Sequence, residues 1–520
     1  MTRWGLGSAS TPGTRHVNTK TARLVRLTAA RSILLASALT CSAGLAADVT
    51  FNIDYIAEAN PFPPISPSTF SYADVWAENG YAYVGSDRSG RGVAIFSISS
   101  AGVPTYLATY DGIGGDGSEM EDVEVYDGIG YFASDVNTGA TTGVDIVNLS
   151  IPFDPQHISR VNSSDCLAGN PSVCAHNKVH TLSVSEGFLY TSDNATDVVK
   201  ITRIFDPGDP DVINPQLVAS LDIGAPSGVA SHEVVVRNDR LYVASKSSSD
   251  TTNGWFHIYD VANPASPVLL KAFLSGAKTH TAMPSADGKT LIAAEERSNG
   301  NVKLYDISQI NEPNDPDSPA LLSTLNTSNV CHNGDCISAH SPHHVHVHGN
   351  LMFLPWYEAG LQVFNIANPA APIYLGAFDT FPGTSSSFNG NWGVDLSLGL
   401  DRVLISDRSR GLVVVDVTGL LVPGDYNQDN TVDDDDYTVW RNAFGTTTSG
   451  QHDAPLADGN YDGIVDAADY IVWREHLGQT GLGGSLSGAL SALPEPATMF
   501  FIGVSFILIV SCWRIRTAGS

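Results

Sequence analysis

The sequence predicts an all-β seven-bladed propeller, followed by a small α-helical calcium module and a C-terminal transmembrane helix. Three observations lead there. A strand phrase recurs seven times between residues 49 and 422, an acidic twelve-residue loop occurs twice at an offset of 33, and apolar segments close both ends of the 520-residue chain. Repeats of about 50 residues with four short strands each are the signature of propeller blades. The boundaries are 1–47 for a signal peptide, 48–422 for the propeller, 423–480 for the calcium module, 481–492 for a Gly/Ser linker and 493–520 for a sorting tail.

The first 47 residues carry six basic side chains and no acidic one, and residues 32–45 are apolar up to a Gly44-Leu45-Ala46 cleavage site. A basic front and a short apolar run before small residues make a secretory signal, too short for a permanent span. Ala38-Leu39-Thr40 ahead of Cys41 is a poor lipoprotein box. The formal charge of −28 becomes more negative once this segment is removed. So acidic a chain repels phosphate backbones, which excludes nucleic acid as a partner.

Between residues 49 and 422 each unit holds an x-Val-x-Val strand, a turn, and a second strand ending in Ser-Asp or similar. A Gly-led strand follows, such as 92–99, 360–368 or 411–419, then a proline-led one such as 267–273 or 372–378. Equivalent starts fall at Ala73, Glu121, His180, His232, His280, His343 and Trp392. The last unit has three strands and the chain's own beginning, Val49–Tyr55, is an orphan strand. It is expected to complete the seventh blade and remove two exposed sheet edges. The Gly-led strands resemble the LVIVD repeat of bacterial surface propellers over about 370 residues.

First strands line a propeller's channel, so their starts meet at one rim. Four of these starts are histidine (His180, His232, His280, His343) and a fifth is Glu121. Converging imidazoles suit a transition metal; equally, a histidine there can hydrogen-bond the neighbouring blade. The arrangement distantly resembles the selenium-binding/methanethiol oxidase propellers, in which histidines around the channel hold copper. Two close cysteine pairs, Cys166 with Cys174 and Cys331 with Cys336, read as local disulfides in an exported chain, with free thiols the alternative. Each precedes a rim histidine and would stiffen that rim. In His340–His348, alternation places His344, His346 and His348 on one strand side and His343, Val345 and Val347 on the other. That row is either a chelating face or a polar inter-blade seam.

The calcium loops read DYNQDNTVDDDD (425–436) and DGNYDGIVDAAD (458–469). Calcium takes six to eight oxygens spaced around one turn of chain. Asp425, Asn427, Asp429, Asp433 and Asp436 with the Thr431 carbonyl supply one loop. Asp458, Asn460, Asp462, Asp466 and Asp469 with the Ile464 carbonyl supply the other. Asn430 stands where position 6 usually has Gly, and Asn tolerates the left-handed backbone required there. Tyr437, Trp440 and Phe444 recur as Tyr470, Trp473 and Leu477, one helical face each. With Asp at position 12 the pair resembles a type I dockerin, an EF-hand-like module, and the resemblance implies a cohesin-like partner. The usual recognition positions are here Asp434-Asp435 and Ala467-Ala468, which depart from the hydroxyl pairs of that family.

Pro494-Glu495-Pro496, an apolar run (497–513) and a basic end (Arg514, Arg516) resemble the PEP-CTERM sorting signal. The run of seventeen residues is at the short limit for a spanning helix, and the arginines follow the positive-inside rule. The resemblance implies a sortase-type processing enzyme and a cell-surface or secreted location, with at least a transient single-span anchor. No nucleophile elbow, phosphate loop or dinucleotide fingerprint stands in a suitable context, so no catalytic set can be assigned. Three readings remain: a displayed propeller that binds a ligand or partner, a metal-dependent oxidoreductase using the histidine ring with Glu121 as ligand or base, and an accessory to extracellular polysaccharide breakdown.

Overall fold

In the computed structural model the described residues are 50–481, apart from the loops 64–69, 88–90, 113–118, 137–141, 227, 248–252, 327–330, 333–334, 337–339, 382–387 and 448–454. The predicted signal peptide 1–47 and the predicted sorting tail 493–520, with its expected membrane helix, lie outside them. Among the described residues no helix is long and apolar enough to cross a membrane.

Seven antiparallel sheets form the propeller, and each first strand faces the channel. Blades 1 to 5 run over Val75–Tyr110, Met120–Val161, Thr181–Asp222, Val229–Gly276 and Thr279–Leu325, with four strands each in chain order. Blade 6 holds four strands from His346–His348 to Ile373–Phe378. Blade 7 holds three, Asn391–Asp395, Val403–Asp407 and Gly411–Asp416. Strand alternation builds the seven cores. In Val93–Ile98 of blade 1, Val93 and Ile95 pack toward blade 2, while Ala94 and Phe96 pack toward blade 7. Every blade thus contributes both of its faces to a wedge of apolar side chains.

The Gly-led strands have a steric cause. Gly92, Gly143, Gly360 and Gly411 all sit at positive φ, and a Cβ would come within 2.0–2.6 Å of the carbonyl of Tyr110, Val161, Phe378 or Ala59 on the outermost strand. Only glycine fits there.

Ring closure takes a different register from the expected one. Asp54–Ala59 pairs with Gly411–Asp416 (Asp54 opposite Asp416, Ala59 opposite Leu412) and completes blade 7. The preceding Thr50–Phe51 crosses to blade 6 as a fifth strand. Asn52, at φ 59°, makes the break between the two, and its amide donates to the Leu375 carbonyl. One extended strand over 49–55 cannot pass this left-handed residue.

Behind blade 7 the chain forms two helices, α1 (Asp434–Ala443) and α2 (Ala467–His476). Asp433 and Asp466 are N-caps, and Asp436 and Asp469 close a capping box in each, which satisfies the first-turn N–H groups. Trp440 donates to the Asp466 carbonyl and Trp473 to the Asp433 carbonyl, a reciprocal pair of bonds across the module. Phe444 and Leu477 correct the expected packing: each stands just past its helix and is about half exposed (56% and 48%). Phe444 still keeps its ring edge-on against Trp440, 5.4 Å between centroids.

Candidate functional site

The predicted rim residues are brought to one place. A β-bulge opens the first strand of blades 2, 4, 5 and 7, and the extra residues are Glu121, His232, His280 and Trp392. A bulge re-aims one side chain without disturbing the rest of the strand. His180 and His343 stand just before their strands, with N–H groups donating to Ser192 and Pro355. The rings then follow one another around the mouth. Centroids lie 4.6 Å apart for His180–His232, 4.2 Å for His232–His280, 4.3 Å for His280–His343 and 4.2 Å for His343–Trp392.

The four imidazoles are not equivalent. Burial pulls His180 down, but Asp135 and Glu121 outweigh it and hold the ring up at about 10. Its Nδ1 is 3.0 Å from Glu121 Oε2 and 3.5 Å from Asp135 Oδ2, and Lys178 pairs with Asp135 at 2.9 Å. His180 is therefore a cation inside an ion network, and its Nε2–H donates to His232 Nε2 at 3.1 Å. The other three are neutral. Burial, with Lys246 nearby, holds His232 well below its ordinary value, and burial with His343 does the same to His280. Burial also carries His343 down to about 4, against the pull of Glu296. His343 donates from Nδ1 to the Trp392 carbonyl at 2.8 Å. That bond fixes the tautomer, so Nε2 carries a lone pair, buried and without a hydrogen-bond partner. His232, whose Nε2 accepts from His180, carries its proton on Nδ1, which is buried and has no hydrogen-bond partner; it ligates a metal only by giving up that bond or that proton.

Among the described residues two groups have ligand atoms within 4.8 Å of one another: His232, His280 and Glu296, and Glu121, Asp135 and His180. Chemistry separates them. In the second the imidazole is itself the cation, paired with Glu121 and Asp135, whereas in the first the cation paired with the carboxylate is Lys246. The first offers neutral nitrogen donors and a carboxylate, a set suited to zinc, copper or iron. Burial raises Glu296, but Lys246 and His343 bring it down to about 2; Lys246 pairs with it, and Tyr357 Oη donates to it at 2.8 Å. Tyr357 is held at φ 42°, a strained backbone that clusters at functional sites.

Below the mouth the residues after the rim positions turn inward. His344 reaches across the channel, with Nδ1 3.7 Å from Asp74 of blade 1 and Nε2 3.5 Å from Glu233 of blade 4. Asp122, Glu124 and His346 line the same channel. The hydroxyls of Thr181 and Thr281 donate instead to the carbonyls of His232 and His343 on the next blade, which locks adjacent first strands together. Asp74, Glu233, His344, Lys246, Glu296 and Tyr357 are site residues that the rim alignment omits. The signal was present one residue on: every rim position but Trp392 is followed by a polar residue.

Alternation along 343–348 holds in part. Val345 and Val347 enter the blade core, and His344 and His346 face the channel. Cys166 and Cys174 form a disulfide across a two-stranded hairpin between blades 2 and 3. The backbones of Cys331 and Cys336 pair in a matching hairpin between blades 5 and 6; their side chains lie outside the described set.

The two acidic loops predicted to bind calcium are near copies. Asp425 accepts from the N–H groups of Asp429 and Asn430, and Asp458 from those of Asp462 and Gly463. Asp436 accepts from Asn427 and Asp433, and Asp469 from Asn460 and Asp466. Asn430 adopts φ 73° where the second loop has Gly463 at 89°. Burial first, then the neighbouring carboxylates, pushes Asp425 and Asp458 up to about 6. Carboxylates crowded this way fit a site built for a cation.

No protein-family model and no curated protein matches the chain. Solved structures are similar at low identity. The periplasmic gluconolactonase of Pseudomonas aeruginosa is similar at 14% identity and TM-score 0.46, over 68% of this chain and 93% of that one. A crystal structure described as a putative 6-phosphogluconolactonase of Bacteroides fragilis is similar at 10% and 0.45, over 68% and 95%. A functionally unknown protein of Desulfotomaculum acetoxidans is similar at 16% and 0.39, over 59% and 84%. Likeness at these values carries no argument about activity.

Proposed function

We propose that this is an exported, surface-displayed or secreted propeller that binds a transition metal at its channel mouth and a polar organic ligand in the channel beneath. The observation that carries the reading is the trio of neutral, buried imidazoles beside Glu296, with His343 Nε2 left without a partner. His232, His280 and Glu296 would hold the ion, and His343 adjoins them. A bound ion would supply Lewis-acid or redox chemistry. The chain's own Asp74, Glu233 and His344 would orient a ligand by hydrogen bonds from below, and His180, fixed by Glu121 and Asp135, would position His232.

Display rests on the remaining sequence readings: LVIVD-type blades, a dockerin-type module with two calcium ions, and a PEP-CTERM tail for a sortase-type enzyme. A cohesin-like partner would meet the module on its helices. The test is metal content by plasma mass spectrometry on the full-length protein after mild chelation and desalting. Near-stoichiometric zinc, copper or iron, lost in His280→Ala, supports the reading; a folded protein that takes up none of the three when they are offered overturns it.

The second reading, a metal-dependent oxidoreductase, is favoured by Tyr357 and Trp392, which contact His343 at 4.8 and 4.2 Å between centroids. Turnover of thiol or phenol substrates under oxygen by the copper- or iron-loaded protein would separate it from simple binding.

A further inference from the structure

The calcium loops do not hang free of the propeller. Position 4 of each, Gln428 and Tyr461, takes a left-handed backbone (φ 58° and 57°), and both side chains are set into the propeller floor. Gln428 is 6% exposed. Its side-chain oxygen accepts from the Asn350 N–H at 2.6 Å, and its carbonyl accepts from the Asn365 amide at 2.8 Å. The Asn350 amide donates in turn to the carbonyl of Asn427, a residue of the proposed ligand set, at 2.8 Å. Asn350 lies in the turn between the first two strands of blade 6, and Asn365 ends the third. The turn is shaped for this contact: a Cβ on Gly349 would stand 2.5 Å from the Gln428 side-chain oxygen. Tyr461 packs against the apolar core between blades 6 and 7, beside Leu420 and Leu421. Asp401 and Asp416 lie near enough to act on its hydroxyl, and Asp416 is paired with Asp54 of the closing strand.

We infer that the two calcium loops act as a clamp on ring closure, so that calcium held by the module stabilises blades 6 and 7 of the propeller. This rests on the calcium reading proposed above. The cause is geometric. The backbone around position 4 is folded by the same turn that wraps positions 3 and 5 around a cation, and in each loop several carboxylates repel when no cation lies between them. A loop that relaxes withdraws Gln428 from Asn350 and Asn365, and Tyr461 from the seam where the chain's two ends meet. Linkage makes the effect reciprocal: the propeller floor preorganises both loops and raises their calcium affinity. It also restricts a docking partner to the helices, since position 4 of both loops is already covered.

The test uses the full-length protein, by calorimetric unfolding in millimolar calcium and in chelator, with isothermal titration of calcium alongside. Two sites filled to about a hundred times their dissociation constants should raise the propeller transition by about 5 °C or more. In Gln428→Ala/Tyr461→Ala the titration should still show two calcium ions, bound about tenfold more weakly, while the propeller transition loses its calcium dependence. If calcium binds the wild type and the propeller transition does not move, the clamp is overturned and the calcium reading stands. If the titration shows no calcium uptake, both fall together. Asn365→Asp, placed wholly on the propeller side, should weaken calcium binding in the same direction; unchanged affinity there, with a normal fold, also counts against the clamp.

Discussion

Lys246 is the residue whose removal should strengthen metal binding. Its ammonium pairs with Glu296 and sits among His232 and His280, both of which it holds further down after burial has acted. A divalent ion held by His232, His280 and Glu296 would lie about 5 Å from that charge, where the repulsion is about 7 kcal/mol at an effective dielectric near 20 and under about 2 kcal/mol at that of water. The Lys246 side chain is 14% exposed, which places the working figure between these limits, at about 3 kcal/mol, or about a hundredfold in affinity. Lys246→Met keeps the aliphatic length and removes the charge. Without metal the variant should be less stable, because Glu296 loses a buried partner, a loss of about 3 kcal/mol when one side of such a pair is removed. With zinc or copper added, the Tm should recover to the wild-type value or above it. Competition against a chelator of known affinity measures the binding constant directly. An affinity equal to or weaker than wild type, in a folded variant, would refute the assignment of these three residues as the ligand set.

Three further outcomes follow from local geometry. His257, 2% exposed in blade 4, is held down to about 4 by burial alone. Its folded pKa lies below the unfolded value of about 6.5, so its contribution is present above that value and lost as pH falls; between pH 7.5 and 4.5 this is about 2.5 kcal/mol. Denaturant titrations of His257→Leu at the two pH values should show a correspondingly shallower loss. Gly411→Ala would drive a Cβ to 2.6 Å from the Ala59 carbonyl of the closing strand, whereas Gly445→Ala, also at φ 88°, meets nothing within 4 Å. The first should lower stability by about 2 kcal/mol more than the second, read as the difference in Tm. Asn430→Gly should relieve about 1 kcal/mol of left-handed strain in the first calcium loop and raise its affinity about fivefold by titration.

The blades were legible because propeller packing writes a period-two pattern into each strand and demands glycine where Gly92, Gly143, Gly360 and Gly411 meet the outermost strand. The rim was legible for the same reason: the bulged residues Glu121, His232, His280 and Trp392 fall at one place in the repeat. What the repeat does not encode is which side chains cross from blade to blade. Glu296 and Asp135 come just after the second strands of blades 5 and 2, where the repeat shows only an acidic stop. Lys246 takes the same place in blade 4, where the repeat carries a base instead of an acid. Their meeting with His280, His180 and Glu296 depends on the curvature of the ring, a property of seven sheets packed together rather than of any one strand. The closing strand shows a further limit, since hydrophobic patterning marks 49–55 as extended and only the left-handed Asn52 reveals that it serves two blades.

The histidine-rich stretch 340–348 acquires a reason once the ends of the channel are distinguished. His343 stands at the mouth, 4.3 Å from His280 between centroids. His344 crosses the channel to Asp74 and Glu233. His346 lines the channel, and His348 lies at the floor, in a cleft shared with Asp425, Gln428 and Asp458. One segment of blade 6, from His343 through the strand His346–His348, therefore runs from the proposed transition-metal site to the proposed calcium loops, with an imidazole at each level. A strand pinned at Asn350 by Gln428 fixes the height of His343 at the other end, because about 3.3 Å of rise per residue leaves a short extended segment no slack. The chemistry of the mouth and the calcium state of the floor then share a mechanical element. Loosening the floor by Gln428→Ala should blur the position of His343 Nε2 and weaken metal binding by about tenfold, as a supporting residue does when it orients a ligand. If metal affinity is indifferent to that substitution while calcium coupling is lost, the two ends work independently and blade 6 is a scaffold only.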